Sequence, residues 1–221
     1  MQTRDAIKNR WATRAFMNTP VTTDDVNAIL DAARWAPSGS NIQPWKVAVV
    51  EGESKARLGR ELAAARAKGE PQRPDFAYYP SQWEPPYNDR RLACGLALYK
   101  ALDIRREDKQ KRMETWNANY HFFGAPVGLL FFMDRSMNPG SLIDMGIFLQ
   151  SVMLAALDMG FATCPQAALA EYPDIVRSVL KTPESWALIC GMALGAPDRS
   201  APVNNYRTER IAVEEFTTYY G

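Results

Sequence analysis

The sequence predicts an α+β fold, a mixed, mostly antiparallel sheet flanked by helices on both faces. Short apolar runs at 46–50, 128–133 and 186–194 have the length of buried strands, yet they alternate irregularly with long helical patterns, so the βαβ rhythm of a parallel sheet is missing. The stretch at 142–159 is apolar nearly all round, as a helix covered on two sides must be. At 221 residues, with 47% hydrophobic and 23% charged, the chain reads as a single domain, 1–221, large enough for a well-buried core.

Thr3 to Asn9 reads as a short helix feeding RWATRAF. Arg10 and Arg14 stand four residues apart there, on one side if helical geometry continues. Two guanidiniums so placed form a fork for a phosphate dianion; taken alone, they are equally a solvated basic face. Val21 to Trp35 is the clearest helix. Thr22 serves as N-cap with Asp25 three residues on, Val21 staples to Val26, and Val26, Ile29, Leu30 and Ala33 form an apolar stripe. Pro37 stops it.

The run that follows, APSGSNIQPW from Ala36 to Trp45, is too rich in proline and small residues for a helix or a central strand. Ser38, Ser40, Asn41 and Gln43 offer hydroxyls and amides to a polar planar partner, and Gly39 permits close approach of the backbone. An ordinary helix-to-strand loop has the same composition. Lys46 to Val50 then reads as a buried strand, and Ser54 to Lys68 as an alanine-rich, charged surface helix.

Residues 69–87 change character. PQRPDFAYYPSQWEPPY is too proline-rich for regular structure and too aromatic for a disordered linker. It reads either as an ordered excursion walling a substrate pocket or as a packed surface loop. Arg90 to Leu102 and Glu107 to Asn119 return to helical patterns, and Gly128 to Met133 is a central strand. Ser141, with Asp144 three residues later, marks a second capping-box start for the long helix. Met159 to Leu169 holds a helix-ending Gly160, a short strand and a turn at Pro165, before the last strand at Trp186 to Leu194.

Several function classes are disfavoured. A net charge of +1 gives little electrostatic support for nucleic-acid binding. MQTRDAIKNR has charges where a secretory leader needs an apolar run. Asp144, Gln150, Ser151 and Asp158 interrupt the longest apolar stretch, which therefore reads as a buried helix rather than a membrane span. Cys94, Cys164 and Cys190 suggest neither a disulfide framework nor a zinc site, and fit a reducing cytoplasm. His121 is the only histidine, so zinc motifs with two are excluded and no metal site is expected. No acid–base dyad, nucleophile–histidine arrangement or G-x-G-x-x-G run stands out, so redox or other demanding chemistry must come from a cofactor.

Taken in order, RWATRAF, APSGSNIQPW, FFGAPVGLLF, GFATCPQAAL and NNYRTER resemble the nitroreductase-like family of flavoproteins, and the resemblance extends over most of the chain. It implies the same α+β fold and an FMN held at the interface of a homodimer. By this resemblance Arg10, Trp11, Ala12 and Arg14 meet the phosphate and ribityl chain, although Ala12 stands where many relatives carry serine and Trp11 has no evident role. Pro37, Ser38, Gly39, Ser40, Asn41 and Gln43 contact the flavin ring from the other subunit. Asn119, with Asn117 as the neighbouring choice, supplies an amide to the ring; the segment Pro165, Gln166 and Ala167 lies against it, with the N–H groups that this segment has aimed at N5 and O4; Arg207 and Arg210 complete the phosphate site.

No side chain is catalytic in this reading, because flavin N5 carries the chemistry. The implied activity is ping-pong, two-electron reduction of a small electron-poor aromatic, a nitro compound or quinone, with NADPH or NADH as donor. A flavin-fragmenting or dehalogenating relative, or a non-catalytic FMN-binding protein, remains the alternative. The all-round apolarity of 142–159 points independently to a second subunit, or else to a thick core within one chain.

Overall fold

The computed structural model describes residues 2–221. Its helices are α1 (Thr3–Asn9), α2 (Thr23–Ala33), α3 (Gly52–Ala67), α4 (Tyr87–Ala101), α5 (Lys109–Asn117), α6 (Ser141–Asp158) and α7 (Pro173–Leu180). The strands are β1 (Lys46–Val50), β2 (Val127–Asp134), β3 (Ala162–Gln166) and β4 (Trp186–Gly195). They form one sheet in the order β1-β2-β4-β3, with every neighbouring pair antiparallel. A parallel bridge joins Ala12 to Thr163, so the predicted mixed, mostly antiparallel character holds.

The alternation of side chains along the strands divides the core in two. Leu129, Phe131 and Met133 of β2 face one way and pack with Val26 and Ile29 of α2 and with Met145, Phe148 and Val152 of α6. Leu130 and Phe132 face the other way and meet Leu58 and Leu62 of α3, Val176 of α7 and the buried Tyr120 and Phe122. Helices therefore cover both faces, as predicted. Although α6 is long and apolar enough to cross a bilayer by length and composition, its stripe of Met145, Phe148, Val152 and Ala156 is buried in this core. Its opposite side is bare: Ile143 is 70% exposed and Ile147 38%.

The start of α2 is as expected. Thr22 Oγ1 accepts from the Asp25 N–H at 3.1 Å, while the Thr22 N–H donates to Asp25 Oδ2 at 2.8 Å. The start of α6 differs, because the chain enters the helix one residue earlier and makes Gly140 the cap. Asp144 is thereby released to accept from the Gly39 N–H at 3.1 Å. The turn expected at Pro165 also comes later: Pro165 lies within β3, opposite Met192, and the chain turns over Ala167–Ala170. As β3 is an edge strand, the N–H that proline lacks is not missed by the ladder. The structure adds α7, for which the sequence reading gives no element; Pro173 begins it, at the one helical position where proline fits best.

Candidate functional site

The segment after α1 is extended rather than helical. Arg10 has φ −78 and ψ 129, and the Thr13 N–H donates to Thr163 O at 3.0 Å, so 10–14 runs alongside β3. Residues two and four apart share a face in an extended chain as well. Arg10, Ala12 and Arg14 accordingly line one cleft, together with Trp11, Tyr206, Arg207 and Arg210. Its volume is about 670 Å³, and among the described residues no aspartate or glutamate lines it.

Asn204 is what brings the N-terminal and C-terminal arginines together. It is 3% exposed; its Oδ1 accepts from the Arg14 N–H at 2.8 Å, and its Nδ2 donates to Ala15 O at 2.8 Å and Asp198 O at 2.7 Å. From there the chain continues into Tyr206, whose hydroxyl accepts from Arg14 Nη1 at 2.9 Å, and Arg207, which donates to Asn204 O at 3.1 Å. The sequence reading singled out the arginines of NNYRTER and missed Asn204 and Tyr206; two adjacent amides beside an aromatic were the available signal. Burial, with the charge of Arg210 alongside, pulls Arg10 below the usual guanidinium range. Such a cluster favours an anion between its members.

A second cavity, of about 430 Å³, lies on the other side of Arg14, which lines both. It holds Asn119, Pro165, Gln166 and Ala167. Gln166, 3% exposed, donates from Nε2 to Asn119 O at 2.8 Å and to Asn119 Oδ1 at 3.3 Å. Its Oε1 is buried without a partner among the described residues, as is Trp11 Nε1. Phe76, Tyr78, Tyr79, Trp116 and Phe123 wall this cavity, so the excursion at 69–87 does border it. Both volumes fall within the range of about 300–1,000 Å³ usual for small-molecule sites. Cys164 also lines the cavity, but burial pushes its thiol up to about 11, so it stays protonated at neutral pH.

Pro37, Ser38, Gly39, Ser40, Asn41 and Gln43 line neither space. Within one chain they lie at the first turn of α6, tied there by the Gly39–Asp144 bond, whereas Arg10 touches Met153, nine residues and about 13 Å further along that helix. Ser40, Asn41 and Gln43 have φ of 49, 57 and 49, a left-handed conformation that costs energy outside glycine and gathers at functional sites. A Cβ built on Gly39 would meet nothing within 4 Å, so this chain's own packing does not demand a glycine there.

A family model described as "Nitroreductase family" matches residues 7–196. The chain is 36% identical over 215 residues to the 4-nitrobenzoate reductase of Pseudomonas putida, covering 97% of this chain and 94% of that protein. It is 38% identical over 216 residues to the nitrobenzene nitroreductase of Ectopseudomonas oleovorans, covering 97% and 95%. Among solved structures, the FMN and NADPH-dependent nitroreductase NfnB from Sphigopyxis sp. strain HMH matches with a TM-score of 0.95 at 37% identity, over 100% of both chains.

Proposed function

This chain belongs to the nitroreductase family, and from that premise we propose that it is an FMN-dependent NAD(P)H oxidoreductase that reduces small nitroaromatic acceptors. The observation that carries the reading is a cationic cleft joined through Arg14 to an aromatic-walled cavity. The residues present fit the cofactor. A phosphate needs cations not already paired with carboxylates, which the cleft offers in Arg10, Arg14, Arg207 and Arg210. A polar ring and ribityl chain need donors and acceptors, and the unpartnered Trp11 Nε1 and Gln166 Oε1 are the kind of buried atoms that a polar ligand relieves.

When bound, FMN supplies the two-electron hydride chemistry for which the described residues offer no side-chain constellation. The protein's part is to bind and orient. Arg10 and Arg14 hold the phosphate, and Arg207 and Arg210 add charge from the C-terminal side. Gln166 and Asn119, locked to each other, fix the polar edge of the ring. The aromatic walls exclude water and stack an electron-poor ring face on. One cavity that takes the nicotinamide and the acceptor in turn is the basis for a ping-pong order.

The same reading makes the protein a homodimer whose two sites each use both chains. Support comes from the left-handed Ser40, Asn41 and Gln43, the separation of their loop from the arginines along α6, and the exposed Ile143 and Ile147 on that helix. Phe216, Tyr219 and Tyr220 of the tail, between 64% and 93% exposed, supply apolar surface that a partner would cover. Three free cysteines support a cytoplasmic setting.

The experiment is an FMN titration of the purified protein, followed by anaerobic reduction with NADPH, or NADH, and reoxidation with nitrobenzene. Stoichiometric flavin binding, bleaching by the nicotinamide and recovery of colour with nitrobenzene are expected. Protein that binds no FMN, or that binds it and is not reduced by either nicotinamide, sinks the proposal.

A further inference from the structure

Asp75 stands at the head of the aromatic run in the 69–87 excursion, and its side chain is only 5% exposed. Three parts of the fold converge on it. Oδ2 accepts from the Leu188 N–H at 2.7 Å and from Arg177 Nη1 at 2.8 Å, while Oδ1 accepts from Arg135 Nη2 at 2.6 Å. Arg177, 7% exposed, also reaches Asp174 at 2.6 Å. A buried carboxylate and a buried guanidinium thus pair with each other, as burial requires, with only Arg177 Nε left without a hydrogen bond among the described residues.

The Leu188 N–H is available for a structural reason. β3 ends at Gln166 opposite Gly191, which leaves the Trp186–Cys190 part of β4 without a strand on that side. At the same place β4 is bulged: Phe131 pairs with Cys190 and Phe132 with Leu188, so Ile189 is an extra residue. A bulge re-aims a side chain, and Ile189 lines the second cavity. Asp75 occupies the bare edge where a strand would lie. The chain just beyond it, Phe76 to Tyr79, is the cavity wall, with the rings of Tyr78 and Tyr79 edge to face at 4.7 Å.

We propose that Asp75 is a positioning residue for the aromatic acceptor, pinning the Phe76–Tyr79 wall to the bulged edge of β4 so that the cavity is shaped before a ring enters. The proposal rests on the reading of the second cavity as the acceptor site. A wall already in place lowers the ordering cost of capturing a flat ring. None of the residues placed on FMN belongs to the Phe76–Tyr79 wall, which lies in this cavity and not in the arginine cleft, so releasing the wall affects acceptor capture and spares FMN binding.

The test uses the FMN-loaded full chain with two variants. Asp75→Asn keeps the shape and removes the charge; Arg135→Gln removes only the most exposed of the partners. With nitrobenzene as acceptor, KM should rise about tenfold in the first and about threefold in the second, with kcat changed far less, since small misplacements of a positioning surface are amplified in capture. The FMN dissociation constant should stay within about twofold of wild type. Chymotrypsin should cut faster after Phe76 and Tyr78, and Arg135→Lys should restore both properties. Unchanged KM and unchanged proteolysis in both variants overturn the role of Asp75 alone. So does a parallel loss of FMN affinity, KM and thermal stability, which is a general packing defect. A wild-type protein that binds FMN and reduces no nitroarene overturns the proposed function first, and the acceptor role with it.

Discussion

The Arg207 guanidinium lies over the Trp11 ring, 3.7 Å from its centroid, and so joins the first cationic segment to the last. Trp11, which had no evident role in the sequence, becomes the platform on which an otherwise exposed arginine is held over the cleft. A cation–π contact is worth about 0.5–2 kcal/mol. Trp11→Ala should therefore weaken FMN binding about tenfold and Trp11→Phe about threefold, as read by flavin titration.

Asn204 should matter as much as any arginine. Asn204→Ala leaves the Arg14 N–H and the carbonyls of Ala15 and Asp198 without their partner in a buried place. At about 1–3 kcal/mol for each unsatisfied group, partly relieved by water, a loss of about 3 kcal/mol in urea unfolding is expected. FMN affinity should fall with it, since Arg14 and Arg207 are both placed through this residue.

Burial alone would raise the carboxyl of Asp75, but hydrogen bonds from Arg177, Leu188 and Arg135 outweigh it and hold the group below the usual carboxylate range. A group lowered on folding stabilises above its unfolded value, near pH 4, and loses that contribution as the pH falls through the lower folded value. The gap in melting temperature between wild type and Asp75→Asn should be constant from about pH 8 to 5 and close below about pH 4. A gap that persists to the acid limit would contradict this account.

Gly128 leaves room for one ring. A Cβ there would lie 2.3 to 2.7 Å from carbons of the fully buried Phe122, whose own φ of 52 gives it little freedom to retreat. Gly128→Ala should cost about 1–3 kcal/mol of stability, measured by thermal or urea unfolding.

The parts of the fold legible in the sequence were those in which local chemistry and tertiary packing agree. Thr22 and Asp25 form the capping box that their spacing promises, and the short apolar run at 128–133 becomes the central strand β2, buried along its length. Where a distant partner decides, the sequence was silent or misleading. Asp144 carries the spacing of a cap and serves Gly39 instead. Arg10 and Arg14 share a cleft through extended chain, not through the helical turn that their spacing first suggested. Asn204, Tyr206 and Asp75 act through contacts made 60 to 192 residues away in the chain, which no local pattern records.

The measurement that bears most directly on the cleft is a paired titration with FMN and riboflavin, which differ only in the phosphate. Charge-assisted contacts of about 1.5–3 kcal/mol each predict that wild type binds FMN at least about 100-fold more tightly than riboflavin. In the Arg10→Ala, Arg14→Ala double variant that preference should fall below about tenfold, with riboflavin affinity little changed. Equal affinity of the wild type for the two flavins, or a full preference for FMN retained by the double variant, would contradict the account.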